Sequence, residues 1–152
     1  MTNQIPKILI EFLASGTWKQ VSPNVIRQCL GDDLDDLKLF GNLDDMLQMS
    51  ERLDNAGYVD DPEFCMTREC KLTGDDPRLE FPRALFIGGS IMPGDDVFVA
   101  LHQMNCEDYD PHVLVLDWRK SVPSRWTERG KLSELVCRIC TDCPLQEKEA
   151  DL

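Results

Sequence analysis

The stretch FPRALFIGGSIMPGDDVFVALHQMNCEDYDPHVLVLDW, residues 81–118, limits what this chain can fold into more than any other part of it. It holds three short apolar runs, residues 84–87, 97–101 and 113–116, separated by polar connections that carry turn formers and acids. Runs this short cannot make useful helices, and their β-branched and aromatic content suits strands buried too well to show clean alternation. Between the first two runs, Pro93-Gly94 supplies a fixed φ followed by a residue that tolerates positive φ, as a type II turn requires. Asp95 and Asp96 keep that tip in water. Residues 105–111 form a polar loop of ordinary length before the third run. The stretch predicts a three-stranded antiparallel meander.

Helical periodicity flanks it. Ile5, Ile8, Leu9, Phe12 and Leu13 fall on one helical face, with Asn3 as a possible cap, Pro6 tolerated in the first turn and Gly16 as the stop. Residues 17–23 break the pattern, and residues 24–30 fit a short helix with Val25, Ile26 and Cys29 on one side, ended by Gly31. Residues 37–40 read as a brief edge strand. Asn42 then caps a helix running to about Asn55, whose stripe is Leu43, Met46, Leu47, Ser50 and Leu53. Asp44 and Asp45 sit in its first turn, where the helix dipole favours acids. Residues 58–66, interrupted by Pro62, read as an edge strand or loop, and residues 71–78 as a surface loop. After Trp118 a polar connection leads to a final helix, capped by Thr127 or Ser124, with Leu132, Leu135, Val136 and Ile139 as its stripe. The tail LQEKEADL, residues 145–152, is charged, lacks a stripe and is expected to fray. The order predicts an α+β fold, an antiparallel sheet with helices packed on it, in a single domain spanning residues 1–152.

The totals agree with that size. A chain of 152 residues, 42% apolar, can bury about 70% of its unfolded surface, enough for a core without staples. No run reaches the roughly 20 apolar residues of a membrane span, and the amino terminus lacks a signal-peptide pattern, so a soluble cytoplasmic protein is expected. Seven cysteines scattered at 29, 65, 70, 106, 137, 140 and 143 do not form a disulfide framework and are expected to be reduced thiols. The 28 acids against 16 bases leave a net charge of −12, which repels nucleic-acid phosphates and anionic lipid. Nucleic acid and membrane are thereby disfavoured as partners. A basic protein is favoured.

The segment from Leu37 to Leu53, with LF ahead of an acidic helix, and the string FIGGSIMPGDDVFVAL followed by HVLVLDW and an amphipathic helix, resemble the SUKH superfamily of Smi/Knr-type immunity and regulatory proteins. The resemblance covers about two thirds of the chain. It implies a compact α+β domain that binds and neutralises a toxin domain, often a nuclease, or else acts as a partner-binding regulatory scaffold.

Residues with catalytic potential are few. Cys137, Cys140 and Cys143 have the CxxCxxC spacing of iron–sulfur and zinc ligands, with His102 or His112 as the possible fourth. On a continuing helix, however, the sulfurs are splayed by about 100° per residue. Gly88-Gly89-Ser90 lacks the further glycines or the lysine of a phosphate loop and fits a strand end or bulge. Cys106 with His102 or His112 and Asp108 or Asp110 could form a nucleophile, base and orienter, a combination that also arises by chance in a polar loop. The acidic doublets lack the spacing of a calcium loop. These features favour a non-enzymatic protein without cofactor, with a metal- or thiol-dependent enzyme built on the cysteine cluster as the alternative. The partner surface is expected at the dense acids Asp32, Asp33, Asp35 and Asp36, at Asp95 and Asp96 of the meander turn, and at Trp126 as an exposed anchor in a polar connection. Trp18 is a further candidate interface anchor, and Trp118, at a strand end, could be core or interface.

Overall fold

The computed structural model describes residues 5–18, 20–31, 33–34, 36–54, 84–91, 97–102, 109–117, 119 and 126–140, with the side chains of Leu53, Asp54 and Trp126 excepted. Helices α1 (Lys7–Ser15) and α2 (Pro23–Leu30), strand β1 (Leu37–Leu39) and helix α3 (Leu43–Asp54) precede the meander, β2 (Leu85–Ser90), β3 (Val97–His102) and β4 (His112–Asp117). A fifth strand, β5 (Trp126–Lys131), follows, and helix α4 spans residues 132–140. The strands form one antiparallel sheet in the order β1-β2-β3-β4-β5. The α+β architecture, with a central meander and added edge strands, is therefore the one expected.

The apolar stripes explain the packing. Leu85, Ile87, Val97, Val99, Leu101, Val113 and Val115 alternate along β2, β3 and β4 and share a core with Leu9, Ile26, Met46, Leu132, Leu135 and Ile139 of the helices. Burying each such side chain contributes about 1.5–3 kcal/mol, so this layer is the main source of stability. Phe86, Phe98, Ala100, Leu114 and Leu116, pointing to the other face, are buried as well. Phe86 and Phe98 meet edge to face, ring centroids 6.1 Å apart. Burial of both faces is why these strands read as continuous apolar runs.

Gly88 marks the bulge on β2, where the register against β3 shifts between Phe86 and Gly88. A Cβ there would stand 2.5 Å from the Lys38 carbonyl oxygen, so only glycine lets β1 approach so closely. Past the end of β1, the N–H of Phe86 donates to Ser50 Oγ at 3.0 Å, while that hydroxyl donates to Met46 O at 2.9 Å. A buried helix hydroxyl thus completes the sheet edge. Trp18, from the α1–α2 connection, is buried in the core and its indole N–H donates to Phe40 O at 2.7 Å.

Several boundaries differ from expectation. Helix α1 starts after Pro6 with no side-chain cap, Asn3 lying outside the described residues. Residues Ser22-Pro23, read as part of a break, start α2: Ser22 Oγ accepts from Val25 N at 3.4 Å and Pro23 occupies the first turn. Trp126 and Thr127 belong to β5 rather than to a connection or cap. The strand escaped the sequence pattern because an edge strand needs no apolar alternation: Arg129 reaches Thr127 Oγ1 at 2.9 Å, and Glu128 pairs with His112 across from β4. Helix α4 is capped instead by Asp110, whose carboxylate accepts from Ser133 N at 2.9 Å, and by Glu134, which accepts from Lys131 N at 2.8 Å. The expected Pro93-Gly94 turn, the segments 58–66 and 71–78 and the tail 145–152 lie outside the described residues.

Candidate partner-binding surface

The acidic segment after α2 is held by arginines from the other half of the chain. Arg138 Nη1 donates to Cys29 O at 3.0 Å and Arg129 Nη1 to Leu30 O at 2.7 Å, so the last carbonyls of α2 are met by guanidinium groups. Arg129 also reaches both carboxylate oxygens of Asp33, at 3.3 and 3.2 Å. Arg119 donates to Asp33 O at 3.0 Å and grips the buried Asp117 with Nε and Nη2, at 2.8 and 2.9 Å. Gly31 admits this clamp, since a Cβ at that position, where φ is 150°, would overlap Arg129 Nη1.

Asp33 is exposed but its carboxylate is paired with Arg129, whereas Asp36 is exposed outside that pair, with φ at 56° and its carbonyl accepting from Ile91 N at 2.7 Å. Asp32, Asp35, Asp95 and Asp96 lie outside the described residues, and for Trp126 only the backbone is described, in β5. The structure adds acids that the patch did not include. Asp44, Asp45 and Glu51 are exposed on α3, opposite the face that carries Met46 and Ser50 into the core. Asn42 caps that helix as expected, accepting from Asp45 N at 2.9 Å.

The cysteines and histidines are arranged by packing. Cys29 is buried in α2, Cys140 lies half-buried against the core with its thiol directed at Thr17 O, 3.8 Å away, and Cys137 points outward from α4. The two described members of the CxxCxxC run, three residues apart on α4, stand about 60° apart around the helix and differ in burial, one exposed and one half-buried; Cys143 lies outside the described residues. Ser133, Glu134, Cys137 and Arg138 line an open depression on the outer side of α4. His102 is fully buried at the end of β3, opposite His112 of β4, whose Nδ1 contacts Glu128 Oε2. Among the described residues no group of three or more His, Cys, Asp or Glu side chains is placed to hold a metal ion. Asp110, one of the possible orienters for Cys106, is engaged by Ser133 through both backbone and side chain; Cys106 and Asp108 lie outside the described residues.

A corner that sequence reasoning passed over is formed by α1 and residues 109–110. The Tyr109 hydroxyl donates to Glu11 Oε1 across 98 residues of chain, while the ring itself is exposed. That hydrogen bond, with partial burial and the nearby Glu11 and Asp110 charges, raises the phenol above its ordinary value of 10.0. Only the tyrosine in a polar loop was visible in the sequence; its partner was not. Among the described residues, no helix is long and apolar enough to cross a membrane.

No protein-family model, curated protein or solved structure matches this chain.

Proposed function

We propose that the chain is a non-enzymatic protein-binding domain of the SUKH type, an immunity protein that binds and neutralises a basic toxin, with a nuclease domain as the best fit. The observation that carries this reading is the acid surplus and where it lies. The net charge is −12, and exposed acids stand on the outer face of α3 and at Asp36, while Arg129 and Arg138 direct donors at the last carbonyls of α2 and Arg119 at Asp33 O. The mechanism is steric and electrostatic. Acidic side chains take the place of the phosphates that a nuclease cleft is built to receive, and long-range attraction speeds encounter. Packing contacts at the centre of the interface then set the rate of release.

The test is the association rate with the basic product of an adjacent gene, measured as salt is raised from about 10 to 150 mM, where the Debye length falls from about 30 to 8 Å. A steep fall is expected, and joint replacement of Asp36, Asp44 and Asp45 by Asn and of Glu51 by Gln, which leaves the Asp33–Arg129 pair in place, should lower both the rate and its salt slope. An association rate indifferent to salt refutes the electrostatic reading.

A further inference from the structure

The large apolar side chains exposed among the described residues are Ile10 (46%), Ile91 (47%) and Tyr109 (53%). Ile10 precedes Glu11, the residue that holds Tyr109, and stands about 100° from it around α1, so the two flank the outward side of that helix. Neither exposure serves the core. Helix α1 already buries Ile8 and Leu9 and packs Phe12 and Leu13 against the same cluster, which leaves Ile10 and Glu11 on its outward side. Resting on the reading above, we infer that Ile10, Glu11 and Tyr109 form a docking surface for an arginine- or lysine-bearing segment of a basic protein.

The chemistry of the corner selects that occupant. An exposed tyrosine ring offers a negative face on which a guanidinium or ammonium group can rest, and a carboxylate at the ring's edge supplies the counter-charge. Tyrosine is also among the side chains that concentrate binding energy at interfaces, because it brings a large area with few rotatable bonds. Here the hydroxyl is tied to Glu11, so part of the ordering cost is met before a partner arrives. The nearby Glu11 and Asp110 carboxylates make the local field negative, in the direction that disfavours ionisation of the Tyr109 phenol. Ile10 adds the apolar contact that a purely acidic patch lacks, and a bound arginine stem would cover it.

The experiment is an NMR titration of the isotope-labelled full chain with a hexa-arginine peptide at about 10 mM salt, where screening is weak. Shifts are expected to concentrate on residues 7–15 and 109–110, with Tyr109→Ala weakening binding about threefold, the scale of an exposed cation–π contact. Ile10→Ser, at a surface position that leaves the core intact, should weaken it as well. Shifts centred on Asp36 or on Asp44, Asp45 and Glu51, with the α1 corner unmoved, overturn this surface while leaving the proposed function standing. Absence of shifts anywhere at low salt overturns the electrostatic basis of both. The mapping on the unaltered chain decides the matter even where a variant folds poorly.

Discussion

Replacing Ser50 by Ala probes the join between α3 and the sheet. The hydroxyl is fully buried and serves two groups: it accepts from Phe86 N at 3.0 Å and donates to Met46 O at 2.9 Å. The second bond is dispensable, because the carbonyl four residues back in a helix already accepts from the backbone and serine back-bonding slightly weakens a helix. Alanine is also the better helix former, by about 0.5 kcal/mol. The first bond is not dispensable. The Phe86 N–H lies at the bulge, beyond the reach of β1, whose pairing with β2 ends at Leu39↔Gly88. With a methyl group in place of its acceptor, a buried donor loses about 1–3 kcal/mol. The net expectation is a destabilisation of about 1–2 kcal/mol by urea unfolding, with an unchanged m-value. Hydrogen exchange at the Phe86 amide should accelerate by more than at neighbouring strand amides. A Ser50→Ala protein as stable as the parent, with Phe86 equally protected, would refute the claim that this hydroxyl closes the sheet edge.

Three further outcomes follow from the same geometry. Asp110→Ala removes the acceptor for Ser133 N at 2.9 Å and should cost about 1–2 kcal/mol in thermal or urea unfolding, while Asp110→Asn, which keeps an oxygen acceptor, should cost less. Gly88→Ala places a Cβ 2.5 Å from Lys38 O and 2.8 Å from Leu39 Cδ2, so β1 must shift; about 1–3 kcal/mol should be lost, and the Phe40 amide, bonded to Ile87 O at 2.8 Å, should exchange faster. For Tyr109 the sign is fixed by the raised phenol pKa: folding favours the neutral phenol, so the contribution is intact below about pH 10 and fades as pH climbs through the raised folded value. Absorbance titration of the ionised phenol, assigned with Tyr109→Phe, should show Tyr109 ionising at lower pH in Glu11→Gln than in the parent. An unmoved curve would contradict the hydrogen bond.

What the sequence made legible was whatever a contiguous pattern encodes. The meander strands stand out because burial on both faces leaves unbroken apolar runs, and α1, α3 and α4 because their stripes repeat at helical spacing. Ser50 could be placed on the buried stripe of α3 by position alone. Its role could not, since it depends on a bulge 36 residues away. β5 was illegible for a similar reason: the partners that satisfy its polar side chains are distant, Leu30 lying 99 residues from Arg129 and Asp33 lying 96. The cap of α4 by Asp110, 23 residues upstream, likewise leaves no local signature. At the candidate surface the acids were countable, but which of them were already engaged was not.

That distinction changes how the acidic segment has to be understood. Asp33 and Asp36 look equivalent in a charge tally and both are exposed, yet only Asp33 is paired with Arg129. Arg129 is only 16% exposed and also holds Leu30 O, so removing the Asp33 charge takes a counter-ion from a mostly buried cation and loosens the end of α2 along with the surface field. A loss of partner binding in an Asp33 variant would mix those two effects. Asp36, Asp44, Asp45 and Glu51 make no contact with the arginine clamp among the described residues, and Asp36 carries a left-handed backbone that Asn also tolerates. Neutralising them alters the field that a basic partner meets while the clamp stays closed. The acid surplus therefore divides into acids that also help to hold α2 against the sheet, as Asp33 does, and acids outside the clamp, and only the second can be neutralised without loosening the end of α2.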